Sequence, residues 1–163
     1  MPVKVTIETP MNAIEKLIAQ PAAPSNEGVY QAILESVLEA FSFSTGTIHI
    51  LNSETQLLEL VAHQGIPEFL LDKVNTIPIG KGIAGVAAER REAVQMCNLQ
   101  TDTSGVARPD AKKTNVAGNI AVPMLKGDAL KGALGIGLRE SHDFTNEEIA
   151  QLNQVAGWLA QAL

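Results

Sequence analysis

The residues with the most chemical potential in this chain are a glycine-rich run, one cysteine, three histidines and a polar loop. Gly80-Lys81-Gly82-Ile83-Ala84-Gly85 has the G-x-G-x-x-G spacing of a nucleotide-phosphate loop and precedes a helical segment, whose N-terminal N–H groups attract anions. Its context differs from a dinucleotide site. The strand before it is short and carries Pro78, and the nearest later acid, Asp102, sits in a loop. The glycines are therefore expected to shape a tight turn. Cys97 has no histidine at metal-ligand spacing, so no metal centre is expected, and the thiol is expected to be buried and inert at a strand end. His49 and His63 fall on two successive apolar strands, and His142 lies in an exposed turn. No serine stands in a G-x-S-x-G elbow, so nothing marks a hydrolase, and no catalytic residue is assigned. Between Asn98 and Ala117 lies a long aperiodic loop holding Asp102, Ser104, Arg108, Asp110 and Asn115. Loops of this length inside a compact domain are usually either functional or disordered. Arg108, a guanidinium suited to a carboxylate or phosphate, is the strongest single candidate there.

These residues must be positioned by recognisable elements. Tyr30, Leu34, Val37 and Phe41 recur at helical spacing and predict a helix over 29–42. Thr47–Leu51 and Leu57–His63, joined by Asn52-Ser53-Glu54-Thr55, predict a hairpin. One or two helical turns over Glu68–Val74 follow, then a short strand at Thr76–Ile79, a helix at Gly82–Arg90 and a short strand at Ala93–Cys97. Asn119–Leu125 and Ala129–Leu138, joined by Lys126-Gly127-Asp128, predict a second hairpin. On the second of these strands Ala133, Gly135 and Gly137 share a face, which a helix or a ligand could approach closely. Thr145, with Glu148 three residues later, is a capping box, and Phe144 and Ile149 form the matching hydrophobic staple. The terminal helix carries Ile149, Leu152, Ala156, Leu159 and Leu163 as one seam and Val155, Trp158 and Ala162 as a second. The second stripe meets either the sheet or a partner. Residues 1–27 read as a leader and linker, with a short helix around Ile14 ended by Pro21, and residues 28–163 as one domain. The order of elements gives an α+β plan: an antiparallel sheet with the first and last helices on one face.

The chain has 163 residues, 45% hydrophobic, enough for a sizeable core. A net charge of −6 with scattered lysines and arginines argues against a nucleic-acid partner. No apolar run reaches the roughly 18 residues of a membrane span, and no signal-peptide pattern opens the chain. A single cysteine suits a reducing compartment, so a cytoplasmic location is expected.

In order and spacing, five motifs resemble a GAF domain, the small-molecule sensor module of signalling proteins. They are Ile77-Pro-Ile-Gly-Lys-Gly-Ile-Ala-Gly85, Glu92-Ala-Val-Gln-Met-Cys-Asn-Leu99, Asn119-Ile-Ala-Val-Pro-Met124, Gly132-Ala-Leu-Gly-Ile-Gly-Leu138 and Asp143-Phe-Thr-Asn-Glu-Glu-Ile149. The resemblance covers the chain from Val29 onward. It implies a twisted antiparallel sheet of five or six strands, the terminal helices on one face and short helices plus the long loop on the other. It also implies a ligand pocket between the sheet and the layer formed by Gly82–Ala117. The Asn-Lys-Phe-Asp-Glu set of cyclic-nucleotide binders has no counterpart here, nor does the His and Asp pattern of bilin binders. Members that reduce free methionine sulfoxide need cysteines where this chain has Ala84 and the cysteine-free stretch near Lys112.

The expected function is thus a non-enzymatic sensor that binds an unidentified small molecule and signals through a homodimer of the Tyr30–Phe41 and Ile149–Leu163 helices. A ligand-free dimerisation scaffold and a methionine sulfoxide reductase are the alternatives. The expected ligand contacts are Ile83, Met96 and Met124 as apolar floor and Cys97, Asp102, Ser104, Arg108, Asp110, Asn115 and Asn119 as further contacts; no cofactor is assigned.

Overall fold

The computed structural model describes residues 14–15, 27–101, 104, 106 and 115–163. Helix α1 (Glu27–Phe41) leads into strands β1 (Thr45–Asn52) and β2 (Leu57–Gln64). A 3-10 turn (Glu68–Leu70) and the one-turn helix α2 (Leu71–Val74) precede β3 (Thr76–Pro78). Helix α3 (Gly82–Arg90) and β4 (Val94–Met96) follow. Strands β5 (Asn119–Lys126) and β6 (Ala129–Gly137) and helix α4 (Asn146–Gln161) complete the order. The strands form one six-stranded sheet in the order β3-β2-β1-β6-β5-β4, every pair antiparallel. This is the expected α+β architecture.

The two faces of the sheet have different jobs, and side-chain alternation assigns them. On one face Ile48, Ala62, Ile120, Val122, Met124, Leu134 and Ile136 join α1 and α4 in the main core. Helix α1 approaches closely because residue 46 is glycine: an added Cβ would come within 2.8 Å of Leu34. Ile14, fully buried, also packs into this core, so part of the expected leader contributes to the domain interior. Helix α4 starts at the capping box read from the sequence. Thr145 accepts from the Glu148 N–H at 3.1 Å and Glu148 accepts from the Thr145 N–H at 2.9 Å. Of its two stripes, Leu152, Val155, Ala156 and Leu159 are buried, Ile149, Trp158 and Leu163 pack partly against the same core, and Ala162 is exposed. The first seam, with Val155, therefore faces the core, while the second stripe runs out toward solvent at Trp158 and Ala162.

The other face is covered by α2, α3 and the segments flanking residues 102–114. Two free stretches of strand edge are closed by side chains or turns. Beyond β3, the Leu60 N–H donates to the Asn75 carbonyl at 2.9 Å. The Gln31 side chain both donates to the His63 carbonyl at 2.9 Å and accepts from its N–H at 3.2 Å. No described helix is long and apolar enough to cross a membrane.

Candidate functional site

Between the sheet and its looser cover lies a cavity of about 180 Å³. Its floor is two ladder rows across three strands. In one row Asn119 of β5, Gly137 of β6 and Thr45 of β1 stand side by side, and in the next Ala121, Gly135 and Thr47 do. Glycine at the centre of both rows keeps the floor low. A Cβ at Gly135 would meet only the Thr47 Oγ1 at 2.8 Å, and one at Gly137 would meet the Val116 side chain at 2.8 Å. In the third row Ala133 replaces glycine and His49 replaces threonine, and Ala133 packs with Leu58, Ile77 and Ala88 to close that end.

The walls come from four places in the sequence. The first turn of α3 gives Gly82, Ile83 and Ala84, and the segment before it gives Ile66, Leu70, Lys73, Val74 and Ile77. Leu99 and Val116 supply the wall on either side of the long loop. The entry into α3 is shaped by its glycines. Gly80 and Gly82 take φ of +87° and +69°, left-handed values that favour glycine. The Gly80 N–H donates to the Gly85 carbonyl at 2.8 Å, and a Cβ on Gly85 would strike the Pro78 carbonyl oxygen at 2.5 Å. The glycine run makes a turn and a close packing contact, as its context suggested.

The polar side chains of the described lining are Thr45, Thr47, Lys73 and Asn119. Asn119 is 6% exposed; its Nδ2 makes one long bond, 3.4 Å, to the Ala117 carbonyl, and its Oδ1 has no partner among the described residues. An unpaired buried amide oxygen costs about 1–3 kcal/mol. His49, 1% exposed beneath the closed end, bonds the Val74 carbonyl through Nε2 at 2.7 Å, which ties β1 to a wall residue. Burial holds its pKa below the ordinary histidine value, against the pull of that carbonyl.

The sequence-based candidates separate in space. Ile83 and Asn119 line the cavity. Met96 is buried with Leu99 and Val116, one layer behind the wall. Met124 shares Ile120's face by strand parity and is fully buried in the α1/α4 core, away from the cavity. Ser104 and Asn115 are exposed and do not line it. Asp102, Arg108 and Asp110 lie outside the described residues. Cys97 is exposed, not buried, because β4 ends at Met96 and the chain bends there. A hydrogen bond to the Asp143 carboxylate, with some desolvation and that carboxylate's charge, pushes its thiol up, away from the reactive thiolate. His142 is not an exposed turn residue. Its Nε2 lies 2.9 Å from the Glu148 carboxylate and its ring packs edge-on against Phe144. No group of three potential metal ligands occurs among the described residues.

Thr45, Thr47, Gly135, Gly137 and the 66–77 wall were missed as site residues. The small face of β6 was readable by alternation, and the same reasoning on β1 would have put Thr45 and Thr47 opposite it.

The sequence model of the GAF domain matches residues 24–163. The chain belongs to the GAF domain family. Solved structures agree on the fold of this GAF domain. The GAF domain of a phosphoenolpyruvate-protein phosphotransferase from Coxiella burnetii superposes with a TM-score of 0.76 at 26% identity, over 94% of this chain and 92% of its own. The free methionine-R-sulfoxide reductase of Neisseria meningitidis, in complex with its substrate, gives 0.79 at 17% identity, over 96% and 87%. The A. aeolicus nlh2 GAF domain in an inactive state gives 0.72 at 18% identity, over 96% and 94%. Comparison with curated proteins finds no match.

Proposed function

We propose that this GAF domain is a non-enzymatic sensor that binds a small molecule in the cavity over the Gly135–Gly137 floor. The observation that carries the reading is the open floor itself. A ligand-free scaffold has no use for a central glycine, Gly135, above which only the Thr47 hydroxyl stands, where a core side chain would stabilise the sheet. Retained space at a stability cost is what a binding site needs.

A route from cavity to helices exists in the same strands. Asn119, Ala121, Gly135 and Gly137 face the cavity, while their neighbours Ile120 and Ile136 face α1 and α4. A ligand that shifts β5 or β6 therefore moves the surface on which both terminal helices rest. Pairing of two chains through α1 and α4 completes the reading. Its support is the outer flank of α4, where Trp158 is partly exposed and Gly157 has open space beside it.

Reductase chemistry is the weaker reading. Ala84 lines the cavity, and the only cysteine, Cys97, stands outside it with a raised pKa, so no thiol faces a bound substrate. Native mass spectrometry of freshly purified protein tests the proposal, with Gly135→Val as the control. The wild-type protein should carry or take up a small molecule that the variant does not. Equal spectra from the two proteins across a metabolite panel would remove the sensor reading, and the same spectra report the subunit count.

A further inference from the structure

Gly135, at the centre of the cavity floor, is flanked by Thr47 of β1 and Ala121 of β5, so the floor has one hydroxyl-bearing side and one hydrocarbon side. Thr47 leans over that centre: its Oγ1 is the one atom that a Gly135 Cβ would meet, at 2.8 Å. Gly137 lies under the Val116 side chain, so the open floor is the part over Gly135. Neighbouring strands stand about 4.7–4.9 Å apart, which leaves room for one ring between Thr47 and Ala121. The volume, about 180 Å³, agrees with this, being slightly above the roughly 150 Å³ of an apolar cavity that accepts benzene.

The other polar side chains of the described lining are engaged or sealed. Lys73 is exposed and has a partner. Asn119 Oδ1 has no accessible surface, and its Nδ2 bonds the Ala117 carbonyl. The Thr45 hydroxyl stands beside Gly65, just past the end of β2, 3.0 Å from where a Cβ there would lie. The Thr47 hydroxyl differs from all of these. It has no hydrogen-bond partner among the described residues, it is not sealed as Asn119 Oδ1 is, and it overhangs the open floor. The first turn of α3, at Gly82, Ile83 and Ala84, also lines the cavity and would draw an anion, which makes charge a property to test.

A threonine hydroxyl both donates and accepts, so a hydroxyl, a carbonyl or a ring nitrogen on the ligand satisfies it. A pure hydrocarbon leaves it unmet. An ion gains little from it: Thr45, Thr47, Asn119, Ala121, Gly135 and Gly137 carry no charge, and an ion stripped of water beside uncharged groups is costly. We propose, on the sensor reading above, that the cavity takes an uncharged, largely apolar molecule of about one ring with a hydrogen-bonding group on its edge, and that Thr47 is the residue that selects it. The ring lies over Gly135, its bare edge meets Ala121 and its polar edge meets Thr47 Oγ1. Monohydroxylated single rings are the simplest members of this class. The anionic ligand that Arg108 would suit is a different class, and the two are separable.

The experiment titrates the full chain with phenol, toluene and benzoate by calorimetry and thermal shift, in wild type, Thr47→Val, Thr47→Ser and Gly135→Val. Phenol and toluene differ by a hydroxyl for a methyl, and Thr47→Val makes the same exchange in the protein while keeping the branched shape that suits a strand. Toluene, the more apolar probe, gains more from the walls, so the readout is how the ratio of the two affinities moves between proteins. In Thr47→Val the ratio should shift against phenol by about threefold to tenfold, the net contribution of one hydrogen bond. In Thr47→Ser, which keeps the hydroxyl, it should stay within about twofold of wild type, and Gly135→Val should bind neither probe. An unmoved ratio in Thr47→Val would overturn the role of Thr47, and benzoate binding wild type more tightly than phenol would overturn the uncharged class; both results leave cavity binding intact. Phenol and toluene binding Gly135→Val as they bind wild type would place them elsewhere and overturn the proposal. Failure of both on wild type would overturn it as well, and equal native spectra for wild type and Gly135→Val would then remove the sensor reading too. Because the comparison of phenol with benzoate needs no variant, the test holds even if Thr47→Val folds poorly.

Discussion

Replacing Gly135 with valine should make this protein more stable while closing its cavity. Gly135 does not lie in the left-handed region, so an L side chain is sterically allowed by the backbone, and its Cβ would meet one atom only, the Thr47 Oγ1 at 2.8 Å. Burying a valine side chain contributes about 1.5–3 kcal/mol. Removing a mid-strand glycine contributes roughly 0.5–1 kcal/mol more. Against this, Thr47 must give way, at a cost of about 0.5–1.5 kcal/mol if its side chain leaves its preferred rotamer. The net is about 2 kcal/mol of stabilisation, or roughly 4–8 °C in Tm for a domain of this size. Urea denaturation and calorimetry of the two proteins measure it, with an unchanged m-value showing that only stability moved. A loss of stability of similar size would refute the reasoning, since it would mean that the space above Gly135 is filled.

Gly132→Ala is the contrasting case: its Cβ would come within 2.1 Å of the His49 carbonyl oxygen, so the β1–β6 ladder must open, and a loss of more than about 1–3 kcal/mol is expected in the same denaturation assay. Thr145→Ala removes the α4 cap and should cost about 1 kcal/mol, read as a fall in Tm with faster amide exchange in the first turn of α4. His49 makes stability depend on pH. Its folded pKa lies below the unfolded value near 6.5, so the unfolded chain binds the extra proton first. The His49 contribution is complete above that unfolded value and is lost as pH falls through the folded one. His49→Gln should flatten the fall in stability between pH 7 and 5, and an unaltered slope would exclude His49 as its source.

Much of the architecture was legible because its determinants are local. The Thr145/Glu148 box, the Gly127-Asp128 turn and the β5 and β6 alternation each lie within a few residues, and each reappears in the structure. The candidate site was less legible. Met124 looked like cavity floor, but one residue of strand parity puts it in the opposite core. Cys97 looked buried because it follows an apolar strand, yet it is the first residue beyond that strand's end. Asn119 was among the candidates for its position, though nothing in the sequence showed that its side-chain oxygen would lack a partner.

The sequence alone determined the periods: which segments are helices or strands, where they start, and that one face of β6 is built of small residues. It also determined that only one thiol is available and that the net charge is negative. Tertiary structure decided what each face meets. It turned the first stripe of α4 and Val155 toward the protein's own sheet, set Thr45 and Thr47 beside the β6 glycines, and brought residues 66–77 and the start of α3 over them as walls. The physical reason is that a side chain's direction follows from its nearest neighbours in the chain. Its burial and its hydrogen-bond partner are supplied by strands and helices tens of residues away.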